Sequence, residues 1–202
     1  MNSPRAFLRI YLIMMLCSMS CSTSNGKILT TEKANDFSAS MAAVDAPDEF
    51  FWIDRFENSI VHGFAVSSPN GLPATTVTLA AARQHCETQG KRLCTERQWM
   101  NACFGGNRLS HAYGSQPRAG ICNVAASHLS PTGLFRRCLS DGQIYDMLGN
   151  VMEWVESDAN SESGMLAGGS FRSGLQTSCF TRKMTTVHAR SMEAGFRCCV
   201  SQ

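Results

Sequence analysis

One stretch, Tyr145 to Trp154 (Y-D-M-L-G-N-V-M-E-W), carries the residue types best suited to chemistry. Asp146, Asn150 and Glu153 supply oxygen donors, while Met147, Leu148, Val151 and Trp154 can anchor the segment in a core. A hard cation such as Ca²⁺ takes several oxygen ligands, backbone carbonyls included, and Gly149 would let the chain turn sharply around it. The plainer reading is a turn after a strand, with Asp146 and Glu153 solvated or paired to arginines. A short acidic pattern does not choose between the two by itself.

No other cluster offers comparable chemistry. His62, His85, His111, His128 and His188 are scattered without metal-ligand spacing, and nothing resembles a nucleophile–base pair. Ten cysteines are present. Setting aside Cys17 and Cys21 leaves Cys86, Cys94, Cys103, Cys122, Cys138, Cys179, Cys198 and Cys199. An even number in an exported domain reads as a disulfide framework, whose connectivity the sequence alone leaves open. The absence of any C-x-x-C pair argues against zinc.

Export is indicated by the first residues. Arg5 and Arg9 precede an apolar run from Ile10 to Leu16, and small residues lead to Cys21, the layout of a secretory signal. Ser20-Cys21 resembles a bacterial lipoprotein processing site, where the cysteine is acylated and a protein is held at the cell envelope. Ser18 departs from the usual leucine of that box, so plain signal cleavage to the periplasm or exterior is the alternative. The net charge of +2 without any Lys/Arg run argues against nucleic acid as a partner.

Several elements must position Asp146 and Glu153. Residues 22–46 are polar and small, and read as a flexible linker, so a single domain is expected over 47–202. Glu49 to Glu57 has the aromatic and β-branched density of a strand. Thr78 caps a helix running to Gln89, with Gly90 as its stop. Thr95-Glu96-Arg97-Gln98 is a capping box that opens a second helix, which Gly105-Gly106 ends. Asn107 to Gly142 lacks periodicity, and a bridge between Cys122 and Cys138 would staple it. The final G-F-R-C-C-V is strand-like.

The order of four motifs, G-K-R-L-C-T-E-R-Q-W (Gly90 to Trp99), D-M-L-G-N-V-M-E-W (Asp146 to Trp154), G-G-S-F (Gly168 to Phe171) and G-F-R-C (Gly195 to Cys198), resembles the formylglycine-generating enzyme family, also called the sulfatase-modifying factor domain. The resemblance covers Phe50 to Val200. It implies an α+β, irregular, loop-rich C-type lectin-like fold, stapled by disulfides and holding calcium. By position, Asp146 and Glu153 would give side-chain oxygens to that calcium, and Gly149 and Val151 their carbonyls. Met152 stands where the family usually has tryptophan. A second family calcium would begin at Asn123 and Val124, but the segment after them is shorter here.

The resemblance also implies bridges between Cys86 and Cys198 and between Cys103 and Cys179. Cys94, Cys122, Cys138 and Cys199 have no counterpart in the family's copper site. Pairing Cys122 with Cys138 and Cys94 with Cys199 would complete a framework that uses every domain thiol. The catalytic members hold copper on two cysteines in a loop that here corresponds to Arg172–Ser178, where no cysteine stands. Calcium is therefore expected and copper is not. The expected function is an exported, calcium-stabilised module binding a peptide, protein or glycan, with Arg172, Ser173, Thr177 and Ser178 as candidate lining. The alternatives are a formylglycine-generating or related metal-dependent oxidase acting on a protein cysteine, and a purely structural envelope component with membrane contact through its lipid anchor.

Overall fold

The computed structural model describes residues 38–157 and 163–201. The expected signal segment, Cys21 and most of the expected linker lie outside them. The first strand, β1 (Met41–Ala46), pairs antiparallel with β2 (Glu49–Asp54), in register from Met41 opposite Asp54 to Ala46 opposite Glu49. The hairpin β3 (Asn58–Val61) and β4 (Phe64–Ser67) comes next, and then α1 (Leu79–Glu87). Two-residue β5 (Arg92–Leu93) leads into α2 (Glu96–Phe104). A long stretch without helix or strand reaches β6 (Met152–Val155), followed by β7 (Ser163–Ala167) and β8 (Arg182–Thr186). The chain closes with β9 (Ala194–Phe196) and β10 (Cys198–Ser201), separated by Arg197 alone.

Eight of these strands build two four-stranded sheets, ordered β1-β2-β10-β5 and β8-β7-β6-β9, and β3 pairs with β4 alone. Since β9 and β10 are nearly continuous, Arg197 sits where the chain passes from one sheet to the other. The second sheet is antiparallel except for β6 against β9, which run parallel. One core cluster gathers Phe51, Ile53, Trp99, Met147 and Leu148. The other gathers Leu79, Ala82, Trp154, Leu166 and Phe196.

Both helices start as their sequences require. Thr78 Oγ1 accepts from the Ala81 amide at 3.2 Å, and Leu79, Ala82 and Cys86 are buried at helical spacing. Thr95 caps α2 through both arms of a capping box, its hydroxyl accepting from the Gln98 amide and Gln98 Oε1 accepting from the Thr95 amide. Gly105 ends α2 with a positive φ of 61°. Trp99 then faces the core, fully buried.

Four disulfides pin the loops: Cys86–Cys198, Cys94–Cys199, Cys103–Cys179 and Cys122–Cys138. They tie α1 and the residue after β5 to β10, and the end of α2 to the loop before β8. The fourth closes the long irregular segment on itself. A multiply bridged domain of this kind belongs in an oxidising, exported environment. Among the described residues no helix is long and apolar enough to cross a membrane.

One boundary is corrected. The domain does not begin near Pro47, because Met41–Ala46, read as linker, is β1, with Met41 and Ala42 buried. Its small residues carry little intrinsic strand signal; pairing with β2 decides their conformation. Likewise the strand read through Glu57 stops at Asp54, and the chain turns at Arg55 and Phe56. A chain starting at Pro47 should lose about 3 kcal/mol against one starting at Ser38, from Met41 burial and the β1 ladder. Equal urea midpoints for the two would show that β1 contributes nothing.

Candidate functional site

Glu153, on β6, is 1 % exposed. Its Oε2 accepts from Trp99 Nε1 at 2.7 Å and from Arg197 Nε at 2.6 Å, and its Oε1 accepts from Arg197 Nη2 at 2.7 Å. Arg197 is itself fully buried, and donates further to the carbonyls of Asp54 and Tyr145, each at 2.9 Å. Burial alone would weaken its charge, but Glu153, Glu57 and Asp146 together hold its pKa above the ordinary value. The arginine-paired alternative for Glu153 is thus the observed state.

Asp146 and Asn150 are reached through unusual backbone. Asp146 (φ 55°), Gly149 (φ 80°) and Asn150 (φ 54°) all adopt left-handed conformations. Asp and Asn tolerate this region better than most side chains, and a cluster of such residues marks a site held by its surroundings. A Cβ on Gly149 would stand 2.3 Å from the carbonyl oxygen of Asn123, so only glycine allows this approach. Asp146 Oδ2 accepts from the Gly133 amide at 2.6 Å, and Oδ1 has no hydrogen-bond partner among the described residues. Burial raises the Asp146 carboxyl to about 6, partly opposed by the Gly133 amide and by Arg197.

A third carboxylate completes the group, one that the sequence pattern does not single out. Glu57 is completely buried between β2 and β3. It accepts from Asn150 Nδ2 at 2.6 Å and from the Val151 amide at 3.1 Å. Burial first, and then Asp146 and Glu153, push its pKa well above the usual carboxylate range. Asn123 joins the network, its Nδ2 donating to Asn150 Oδ1 and Ser130 Oγ at 3.1 Å each. Asn123 Oδ1 is buried and accepts nothing. Three carboxylates therefore share one guanidinium. Distance along the chain hides Glu57 from the Asp146 stretch, since nothing local distinguishes an acidic residue at a strand end.

Calcium can be tested against these donors. A carboxylate offers about four acceptor sites; Asp146 keeps Oδ1 free and Glu153 keeps part of Oε1, and the carbonyls of Gly149 and Val151 are the further oxygens that the resemblance implies. The donors are all oxygen and their charge exceeds that of Arg197, which suits a hard cation. The orphaned Asn123 oxygen lies next to the same turn. Among the described residues no three His, Cys, Asp or Glu side chains are placed to hold a metal ion together, so two carboxylates and carbonyls would have to suffice.

The loop expected to line a binding groove is closed on itself. Ser173 Oγ accepts from the Ser170 amide at 2.7 Å, Thr177 Oγ1 donates to the Gly174 carbonyl at 2.7 Å, and the Ser178 amide donates to Thr181 Oγ1. Arg172 lies over the Phe171 ring at 5.0 Å. Two open cavities flank α2 instead, with volumes of about 610 and 740 Å³. They share Pro47, Asn101, Phe104 and Arg108. All eight described cysteines are in disulfides.

Residues 34–202 match the family described as the sulfatase-modifying factor enzyme 1-like domain. A relative from Bos taurus, "Inactive C-alpha-formylglycine-generating enzyme 2", is 30% identical over 150 residues, covering 63% of this chain and 50% of its own. The chain thus spans about half the length of the curated relatives it matches. Among solved structures, PvdO from Pseudomonas aeruginosa superposes with a TM-score of 0.60 at 15% identity, covering 80% of this chain and 90% of its own. CarF gives 0.56 at 18% identity, covering 76% and 87%. These likenesses carry the fold, which is irregular, loop-rich and C-type lectin-like.

The raised Asp146 pKa has a definite sign. Its folded value of about 6 against an ordinary 3.8 means that the folded state holds the proton more tightly. Without added metal, this stabilising contribution is complete below pH 3.8 and is lost as pH rises through about 6. Asp146→Asn, which stays neutral and can still accept from Gly133, should gain on the parent by about 2–3 kcal/mol as pH rises from about 4 to 7 in chelator. Parallel pH–stability curves for the two proteins would contradict the assignment.

Proposed function

The chain belongs to the sulfatase-modifying factor family, and from that premise we propose that it is an exported, calcium-stabilised module that binds a peptide or glycan and does not oxidise cysteine. The observation that carries this is the state of its thiols. Copper-dependent oxidation on this scaffold needs two thiolates, and a sulfur spent in a disulfide is not a thiolate ligand. Loop 172–178 contains no cysteine, and the nearest one, Cys179, is bridged to Cys103. The relative from Bos taurus carries "inactive" in its own name, which supports the same reading over the half of that protein that matches.

Asp146 and Glu153 would hold the cation with the carbonyls of Gly149 and Val151. When bound, calcium would supply the positive charge that three buried carboxylates lack beside Arg197. The role of this chain's residues is then positional: Glu57 and Asn150 fix the turn, Trp99 and Arg197 orient Glu153, and Gly133 orients Asp146. A rigid turn of this kind steadies the loops from which a lectin-like surface is made. Ligand recognition would fall to the cavities beside α2 rather than to the self-bonded loop 172–178.

A cation that binds only the folded state, at a hundred times its Kd, adds about 2.7 kcal/mol. At this chain length that is about 5–10 °C in melting temperature. Calcium should produce such a shift in the parent protein at pH 7.5 and not in Asp146→Asn, and specific hits should emerge on a peptide or glycan array. An unchanged melting temperature would remove the cation. Empty arrays would remove the module. Conversion of a cysteine peptide to formylglycine in the presence of copper would restore the oxidase.

A further inference from the structure

The 610 Å³ cavity touches Ala43, Val44, Asp45 and Ala46, four consecutive residues of β1. Successive side chains of a strand point to opposite faces, so a cavity on one face would meet only every second residue. A cavity that meets all four runs along the backbone edge. Among the described residues β1 pairs with β2 alone and ends the order β1-β2-β10-β5, so its other edge has no strand beside it. The opposite wall is formed by the end of α2 and by the segment around Asp141–Ile144, with Ala102, Phe104 and Ile144 as its apolar part.

From this geometry we propose that the cavity is a slot for an extended peptide, which adds to β1 as a fifth strand of that sheet. The proposal rests on the reading of the chain as a binding module and names its site and ligand class. An unpaired strand edge presents a repeating row of N–H and C=O groups, and the chemistry that satisfies such a row is another extended backbone. A sugar or a small metabolite cannot match it over four residues. The free edge is short, which limits pairing to a few residues of the incoming chain.

The slot also has a sign. Asp45 and Asp141 line it as exposed carboxylates, and in the adjoining cavity Asp48 stands with Arg97 and with Glu96 and Glu156, which are paired to Arg182 and Arg83. The one guanidinium at the slot, Arg108, lies over the Phe104 ring at 5.8 Å. Asp45 and Asp48 enter no ion pair among the described residues. The excess of negative charge selects a peptide carrying lysine or arginine, its apolar residues directed towards Ala102, Phe104 and Ile144. It also disfavours a second copy of this chain paired edge to edge, which would bring Asp45 and its counterpart into one ribbon.

The test is a selection of random short peptides, displayed on phage, against the oxidised full-length chain. Each selected peptide is then remade with single backbone N-methyl groups along its length. Strand addition predicts losses of about tenfold at every second position and small effects between them, since alternate amides face the partner strand. It also predicts a similar loss for these peptides against Asp45→Lys, with the melting temperature of that variant unchanged. Peptides that bind without the two-residue period, or equally well to Asp45→Lys, would overturn the slot while leaving the binding-module reading in place. Hits confined to a glycan array would do the same. A dimer whose formation buries Asp45 would also overturn it.

Discussion

The structure depends on one buried ion pair. Arg197 and Glu153 are shielded from water, and removing two charges from solvent is repaid only where every donor and acceptor is filled. Here nearly all are. Arg197 stands at the single residue between β9 and β10, so its position is the hinge between the two sheets. Its contacts reach the end of β2 through the Asp54 carbonyl, the turn before Asp146 through the Tyr145 carbonyl, and β6 through Glu153. Trp99 brings α2 to the same carboxylate. A fold with few regular elements thereby acquires one fixed point from which its loops are measured.

The pair also sets the electrostatics around it. One guanidinium stands among Glu57, Asp146 and Glu153, and burial first, with the neighbouring carboxylates adding to it, raises the pKa values of Glu57 and Asp146. A buried site with surplus negative charge has two ways to relieve it, protons or a cation. In the proposed reading pH and calcium decide between the two, and the turn that carries the oxygens has positive φ at Asp146, Gly149 and Asn150. The cavities beside α2 are lined by none of these carboxylates.

Legibility in the sequence divides along physical lines. The capping box at Thr95, the Thr78 cap and the Gly105 stop are local, each written in three or four residues, and each stands in the structure. The irregular segment after α2 was legible as an absence of period. By contrast β1 has small residues and no strand density of its own, and only β2 makes it a strand. Glu57 and Arg197 were invisible as partners because 93 and 44 residues separate them from Asn150 and Glu153. The open slot along β1 was likewise unreadable, since edge position is a property of sheet order.

The proposed loss of oxidase chemistry stands most directly on the state of the eight domain cysteines. The full chain, made under oxidising conditions, would be alkylated without reduction, digested and mapped by mass. The expected result is no alkylated cysteine between Cys86 and Cys199, with two cross-linked peptide pairs, Cys103–Cys179 and Cys122–Cys138, and one species joining the Cys86 and Cys94 peptides to the peptide that carries Cys198 and Cys199. Alkylation of Cys179 together with a second thiol, and uptake of copper by the same preparation, would contradict it and return the chain to the oxidases of its family.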